Sequence, residues 1–176
     1  MLAETWQRIQ RLRWKESKVI RKVAPYGDCL FVAILVLLDP LGLLNPSATK
    51  SVRANENRAG RQLRFIIYYY ICDNLERFRL MFEWMSDTEW NASLEELRTP
   101  GRYKEVQTEL MLLVVSEIYG VHINVLDCCS SSDEPLSYSC KDLSADRPTI
   151  ELLHQFLDNP KQSEHFDAVM PLPWVD

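Results

Sequence analysis

The 176-residue chain is expected to fold as an α/β domain of the α+β kind, with a small central β-sheet covered by helices. Three observations predict it. Apolar residues recur at steps of three and four over most of 60–119, the period of helices. Alternation appears only late, in VHINVLD at 121–127, and two further strand-like runs, TIELLHQF and HFDAVMPL, follow it. Earlier, CLFVAILVLLD at 29–39 is apolar on every side and must be covered all round.

In chain order, Trp6, Ile9 and Leu12 stand at helical spacing, so residues 3–14 read as a short amphipathic helix. KVIRKV at 18–23 is an extended lead into Pro25, which disfavours helix at Ala24. The apolar helix from Cys29 ends at Asp39-Pro40 and Gly42. LLNPSATKSVRANENR, 43–58, reads as a polar loop leading into a helix. Residues 60–79 then form one long helix on Leu63, Ile66, Ile67, Tyr70, Ile71 and Leu75. Residues 80–99 are helical in pieces, with Trp84, Met85, Trp90, Leu94 and Leu97 as the apolar set, and Pro100-Gly101 is a turn. EVQTELMLLVVSEIY, 105–119, is a helix with Gly120 at its C-cap. Ser130–Glu134 is a loop, and DNPKQSE turns between the last two strands. A single domain is expected over 1–176, with 1–19 a helical extension and 20–172 the core.

The totals exclude several function classes. A net charge of −5 argues against a general nucleic-acid binder. The local positive charge, Arg8, Arg11, Arg13, Lys15, Lys18, Arg21 and Lys22, reads as a solvated face or a contact surface, as does the polar stretch 43–58. No run reaches the ~18 apolar residues of a membrane span, and the first ten residues lack a signal peptide's apolar centre. Five cysteines without a regular framework suit a reducing, cytoplasmic compartment. No CxxC or HxxxH occurs, so no metal site and no cofactor are expected. The phosphatase spacing of cysteine to arginine fails at both Cys29 and Cys72, where Leu35 and Phe78 stand instead.

The chemistry concentrates at Cys29. A thiolate is the reactive form of cysteine, and the first position of a helix favours an anion through its unpaired N–H groups and dipole. Those N–H groups also suit an acyl oxyanion. Gly27 allows a tight turn with close approach of a substrate backbone. Gly-Asp-Cys before a buried helix is therefore either a nucleophile turn or simply a buried cysteine. Of the histidines, His122 reads as a half-buried strand position and His154 as structural. His165 opens HFDAV, where Asp167 shares its face and Phe166 and Ala168 face the core. A carboxylate at Asp167 holds an imidazole in one tautomer and stabilises its cation.

YGDCLFVAI, GRYKEVQTELMLLVVSEIYGVHINVL and EHFDAV, in that order, resemble the ovarian-tumour (OTU) family of cysteine proteases, over roughly residues 20–172. The resemblance implies a papain-like OTU cysteine protease fold and hydrolysis of the isopeptide bond after the Gly-Gly tail of ubiquitin or a ubiquitin-like modifier. It implies Cys29 as nucleophile, His165 as base and Asp167 as its orienting group. The turn Tyr26-Gly27-Asp28 would form the oxyanion loop, with Tyr103 and Phe166 on the substrate side. Ubiquitin or its conjugates would be the partner of a monomeric, cytoplasmic enzyme, in host cytoplasm if the source is a virus or an intracellular bacterium. The family usually has Asp three residues before the cysteine; Tyr26 stands there, and the acid is Asp28. A carboxylate beside the thiol opposes its ionisation unless directed away. A ubiquitin-binding module without chemistry, or a polyprotein-processing cysteine protease, remains the alternative.

Overall fold

The computed structural model describes residues 18–25, 27–101, 106–128, 134–141, 143–156 and 164–171. The proposed helix at 3–14 lies outside them. Among the described residues there are five strands and six helices: β1 Lys18–Arg21, α1 Cys29–Leu38, α2 Pro46–Ala54, α3 Glu56–Asp73, α4 Leu75–Met81, α5 Asp87–Arg98, α6 Val106–Tyr119, β2 His122–Asp127, β3 Leu136–Tyr138, β4 Thr149–Phe156 and β5 Glu164–Pro171. The expected small sheet with helices is the observed architecture.

The strands form one sheet in the order β1-β5-β4-β2-β3. The β2–β4 pair is parallel and the others are antiparallel. In β5, between β1 and β4, alternate residues separate two clusters. Phe166, Ala168 and Met170 join the main core beneath the helices. Val169 joins Leu126 and Leu153 in a smaller cluster, with Ile20 and Cys128 beside it. The expected alternation of HFDAV is therefore present, although both of its faces are buried.

All ten residues of α1 are buried. The helix packs on β5 and β4 on one side and on α3 on the other, and α3 in turn touches α2, α5 and α6. A helix with no polar stripe can persist only in such an enclosed position. Its partner α3 comes close because of a glycine: a Cβ on Gly60 would stand 2.7 Å from Val32 Cγ2. Beyond α1, Gly42 takes φ 68° and Gly120, after α6, takes φ 63°, the left-handed conformation that glycine adopts without a steric penalty.

The polar stretch 43–58 is not a loop. Asn45 accepts a hydrogen bond from the Ala48 N–H and Pro46 follows at the first helical position, so Asn-Pro-Ser is a helix start. Asn55 ends α2 and caps α3 through the Arg58 N–H. The long helix ends at Asp73, and α4 begins after Asn74. α5 opens with a capping box between Ser86 and Glu89. Trp84, expected in the core, is 66% exposed.

At Gly60 two effects oppose each other. Alanine gains about 1 kcal/mol of helix propensity, whereas overpacking a filled interior costs about 1–3 kcal/mol, and Val32 is β-branched with few rotamers to retreat into. Gly60→Ala is expected to lower the melting temperature by a few degrees in circular-dichroism melts, and Gly60→Leu by more. An unchanged or higher value for Gly60→Ala would show that α1 and α3 separate freely.

Candidate active site

Two polar groups face each other across the mouth of the main core. The first is the turn before α1. Asp28 occupies the N-cap position with φ −110° and ψ 10°, and its carbonyl accepts the first helical hydrogen bond from the Val32 N–H at 3.1 Å. An N-cap aspartate usually turns its carboxylate onto the first-turn N–H groups. Asp28 makes no such bond. Its Oδ1 instead lies 2.8 Å from Arg64 Nε and accepts from the Gly101 N–H at 3.3 Å, and Oδ2 lies 3.4 Å from Arg61 Nε. The carboxylate that raised a difficulty for the neighbouring thiol is thus engaged by cations of α3.

The chain's own packing requires glycine at position 27. A Cβ there would stand 2.1 Å from the Gly101 carbonyl oxygen, so the close approach it permits is to the chain's own backbone. Gly101 has φ 77°, the left-handed conformation of the turn anticipated at Pro100-Gly101. Tyr26 and Tyr103 lie outside the described residues.

The second group is on β5. His165 Nε2 and Asp167 Oδ1 are 3.0 Å apart, on one face of the strand as the spacing predicts. Asp167 is fully buried and accepts three further hydrogen bonds. The Val23 N–H donates to Oδ1 at 2.8 Å, while Lys22 Nζ at 2.9 Å and Gln155 Nε2 at 2.8 Å donate to Oδ2. Sheet order explains the convergence, because β5 lies between β1, which leads into Lys22 and Val23, and β4, where Gln155 pairs with His165. Burial alone would raise the Asp167 carboxyl; the bonds from His165, Val23 and Lys22 outweigh it and hold it below the usual carboxylate range.

Cys29 and His165 are both buried, at 5% and 3% exposure. With His165 Nε2 taken by Asp167, the Cys29 side chain engages the same ring. Burial would depress the imidazole, but the bond to Asp167 and the interaction with Cys29 more than offset it and push it up to about 9. The structure therefore brings Cys29, His165 and Asp167 together. Such an assembly can hold a proton on the imidazole beside a sulfur, the resting requirement of thiol acyl transfer.

Phe166 does not fit the substrate-side role assigned to it. It is 2% exposed, belongs to the main core and stacks on His154 at 4.7 Å between ring centroids, so it is a packing residue. His154 also pairs with Asp127 Oδ1 at 3.2 Å, and His122 bonds Ser139 and the Ser144 carbonyl, so neither belongs to the site. Arg64 and Gln155 were missed. Arg64 stands directly after Leu63 within an apolar helical pattern, and Gln155 interrupts the apolar character of TIELLHQF. Each is a polar residue at a core-facing step, which is the available signal. Lys22, read as part of a solvated basic face or contact surface, keeps a 64% exposed side chain and is also a partner of Asp167.

The fold is that of an OTU domain, shared with a solved structure along nearly the whole chain. Among solved structures, the OTU domain of OTUD1 is 22% identical, with a TM-score of 0.65, and the match covers 96% of this chain and 95% of that one. The viral OTU domain protease from Dera Ghazi Khan virus is 13% identical, with a TM-score of 0.47, over 87% of this chain and 80% of that one. No family model matches the chain, and neither does any curated protein.

Linkage gives His165 a pH signature. Its pKa is raised on folding, so its contribution to stability is complete below the unfolded value near 6.5 and is lost as pH rises toward about 9. Asp167, whose pKa is lowered, contributes above the ordinary carboxylate range and loses its contribution in acid. The melting-temperature advantage of the native protein over His165→Ala is expected to shrink between pH 6 and pH 9.5. A constant gap would mean that the imidazole carries no proton in the folded state.

Proposed function

We propose that the protein is a cysteine-dependent deubiquitinase that hydrolyses the isopeptide bond after the Gly-Gly tail of ubiquitin or a ubiquitin-like modifier. The observation that carries the reading is the orientation of His165: Nε2 is bonded to Asp167 and the same ring engages the Cys29 side chain. The OTU fold and the resemblance of the three sequence blocks supply the substrate class.

In this mechanism the Cys29 thiolate attacks the carbonyl carbon of the modifier's terminal glycine. The backbone N–H groups of Asp28 and Cys29 receive the oxyanion. Protonated His165 gives its proton to the departing lysine amine as the C–N bond breaks, leaving a thioester. Neutral His165 then takes a proton from water, the hydroxide attacks the thioester, and the Cys29 thiolate leaves. Asp167 keeps the ring oriented and compensates its charge throughout. The enzyme acts as a monomer in a cytoplasm that keeps thiols reduced, without metal or cofactor.

Ubiquitin carrying a C-terminal electrophile is expected to form an adduct with the native protein and none with Cys29→Ala, read by intact-mass spectrometry. His165→Ala should abolish turnover of a fluorogenic ubiquitin amide while leaving the fold intact. Asp167→Ala should be milder, because water or a neighbour partly replaces an orienting group. Binding of ubiquitin without adduct would identify a binding module, and cleavage of a polyprotein junction with no action on ubiquitin would identify a peptide-bond protease.

A further inference from the structure

Arg64 is fully buried, on the side of α3 that faces α1. A guanidinium there must find partners for its donors, because an unpaired buried charge is strongly destabilising. Its partners come from two segments. Nη1 donates to the carbonyls of Glu96 and Thr99, each at 3.0 Å, at the C-terminal end of α5. Nη2 donates to the Gly27 carbonyl at 2.7 Å, and Nε lies 2.8 Å from Asp28 Oδ1. The plane stacks over the Phe31 ring at 4.7 Å. One side chain thus ties the turn before Cys29 to the segment that reaches Gly101, and Asp28 closes the loop by accepting the Gly101 N–H.

The contact to Gly27 has a consequence for the next peptide unit. In a planar trans peptide the C=O and the following N–H point in opposite directions. With the Gly27 carbonyl held toward α3 by Arg64, the Asp28 N–H is turned away from α3. The Asp28 carbonyl, committed to Val32, sets the plane of the next unit, and with it the Cys29 N–H. We infer that Arg64, paired with Asp28, is a positioning residue that orients the two N–H groups assigned to the oxyanion, in a chain where Tyr26 replaces the acid usual in that turn. The inference rests on the hydrolase reading above. It makes Arg64 act on the acylation transition state and not on the thiol itself.

Arg64→Lys keeps the charge but loses the planar fork, and Asp28→Asn keeps the shape but loses the pair. Losing one oxyanion donor outright costs about 100- to 1000-fold in rate. Each variant, still folded by circular dichroism, is expected to lower kcat on a fluorogenic ubiquitin amide by about 10- to 100-fold, with KM little changed. Alkylation of Cys29 by iodoacetamide, which develops no oxyanion, should stay within about 2-fold of the native rate. The double variant should be little worse than either single one, because the two residues act as a unit. Unchanged kcat, or kcat and alkylation falling in parallel, would overturn the inference. If the native protein turns over no ubiquitin substrate, the hydrolase reading fails separately. Amide NMR chemical shifts then decide the positioning role: those of Asp28 and Cys29 should move in Arg64→Lys while those at the centre of α1 stay in place, and unmoved Asp28 and Cys29 shifts refute it.

Discussion

A ten-residue helix with no polar side is the constraint around which this molecule is arranged. Every residue of α1 is buried, so the sheet must close over one side and α3 over the other. At about 25 cal/mol per Å² of apolar surface, such a helix is a large part of the driving force for collapse. Its sides have no place for polar chemistry, which leaves the ends. The C-terminal end runs into Asp39 and the turn to Gly42. The N-terminal end carries Cys29, with β5 alongside to bring His165 to the sulfur. The site's position follows from the burial pattern before any catalytic argument is made.

The same enclosure creates an electrostatic demand that is met twice. Asp28 and Asp167 are both almost fully buried, and each is compensated by a cation from a neighbouring element: Arg64 from α3, and Lys22 from the segment after β1. The two cases differ in character. Asp167 has four donors at hydrogen-bond distance, one of them an exposed lysine. The Asp28–Arg64 pair is buried on both sides, whereas the Arg61 contact lies at the surface, where an ion pair contributes about 0–1 kcal/mol. Asp28 therefore depends on one guanidinium, and that guanidinium is also engaged with α5. The turn before Cys29 consequently cannot shift independently of three helices.

What was legible in the sequence were the groups whose identity breaks a period. Cys29 stands out because it opens an apolar run, and His165 and Asp167 because polar residues alternate with apolar ones in a closing strand. The five-strand sheet was legible only in part. β3 is a three-residue strand, Leu136–Tyr138, with too little sequence to alternate, and KVIR joined the sheet edge where only an extended lead was foreseen. The loop assigned to 43–58 failed on local chemistry, since the side chains of Asn45 and Asn55 satisfy helix N-termini and punctuate the chain in a way that resembles a turn. At Gly27 the sequence did not reveal the approach of Gly101, whose backbone comes from far along the chain. Arg64, Gln155 and Lys22 were illegible as partners for one reason: their roles are set by long-range pairing, and a polar residue on a helix or strand does not name the charge it will meet.

The energetics of those partners bear on why they are there. Replacing a buried ion pair by well-packed apolar residues is often neutral or stabilising by about 1–4 kcal/mol. For Arg64 that comparison is offset by the carbonyls of Gly27, Glu96 and Thr99, which would lose its donors at a cost of about 1–3 kcal/mol for each one left buried and unpaired. The carboxylates themselves, Asp28 and Asp167, are the part that stability explains least. What such groups provide, and leucine does not, is direction: Arg64 fixes which way a carbonyl points, and Asp167 fixes the plane and tautomer of a ring. Buried polar groups of this kind mark the places where a sequence trades local consistency for a task. Here the two clusters stand at the same end of α1, one behind the turn that carries Cys29 and one behind His165.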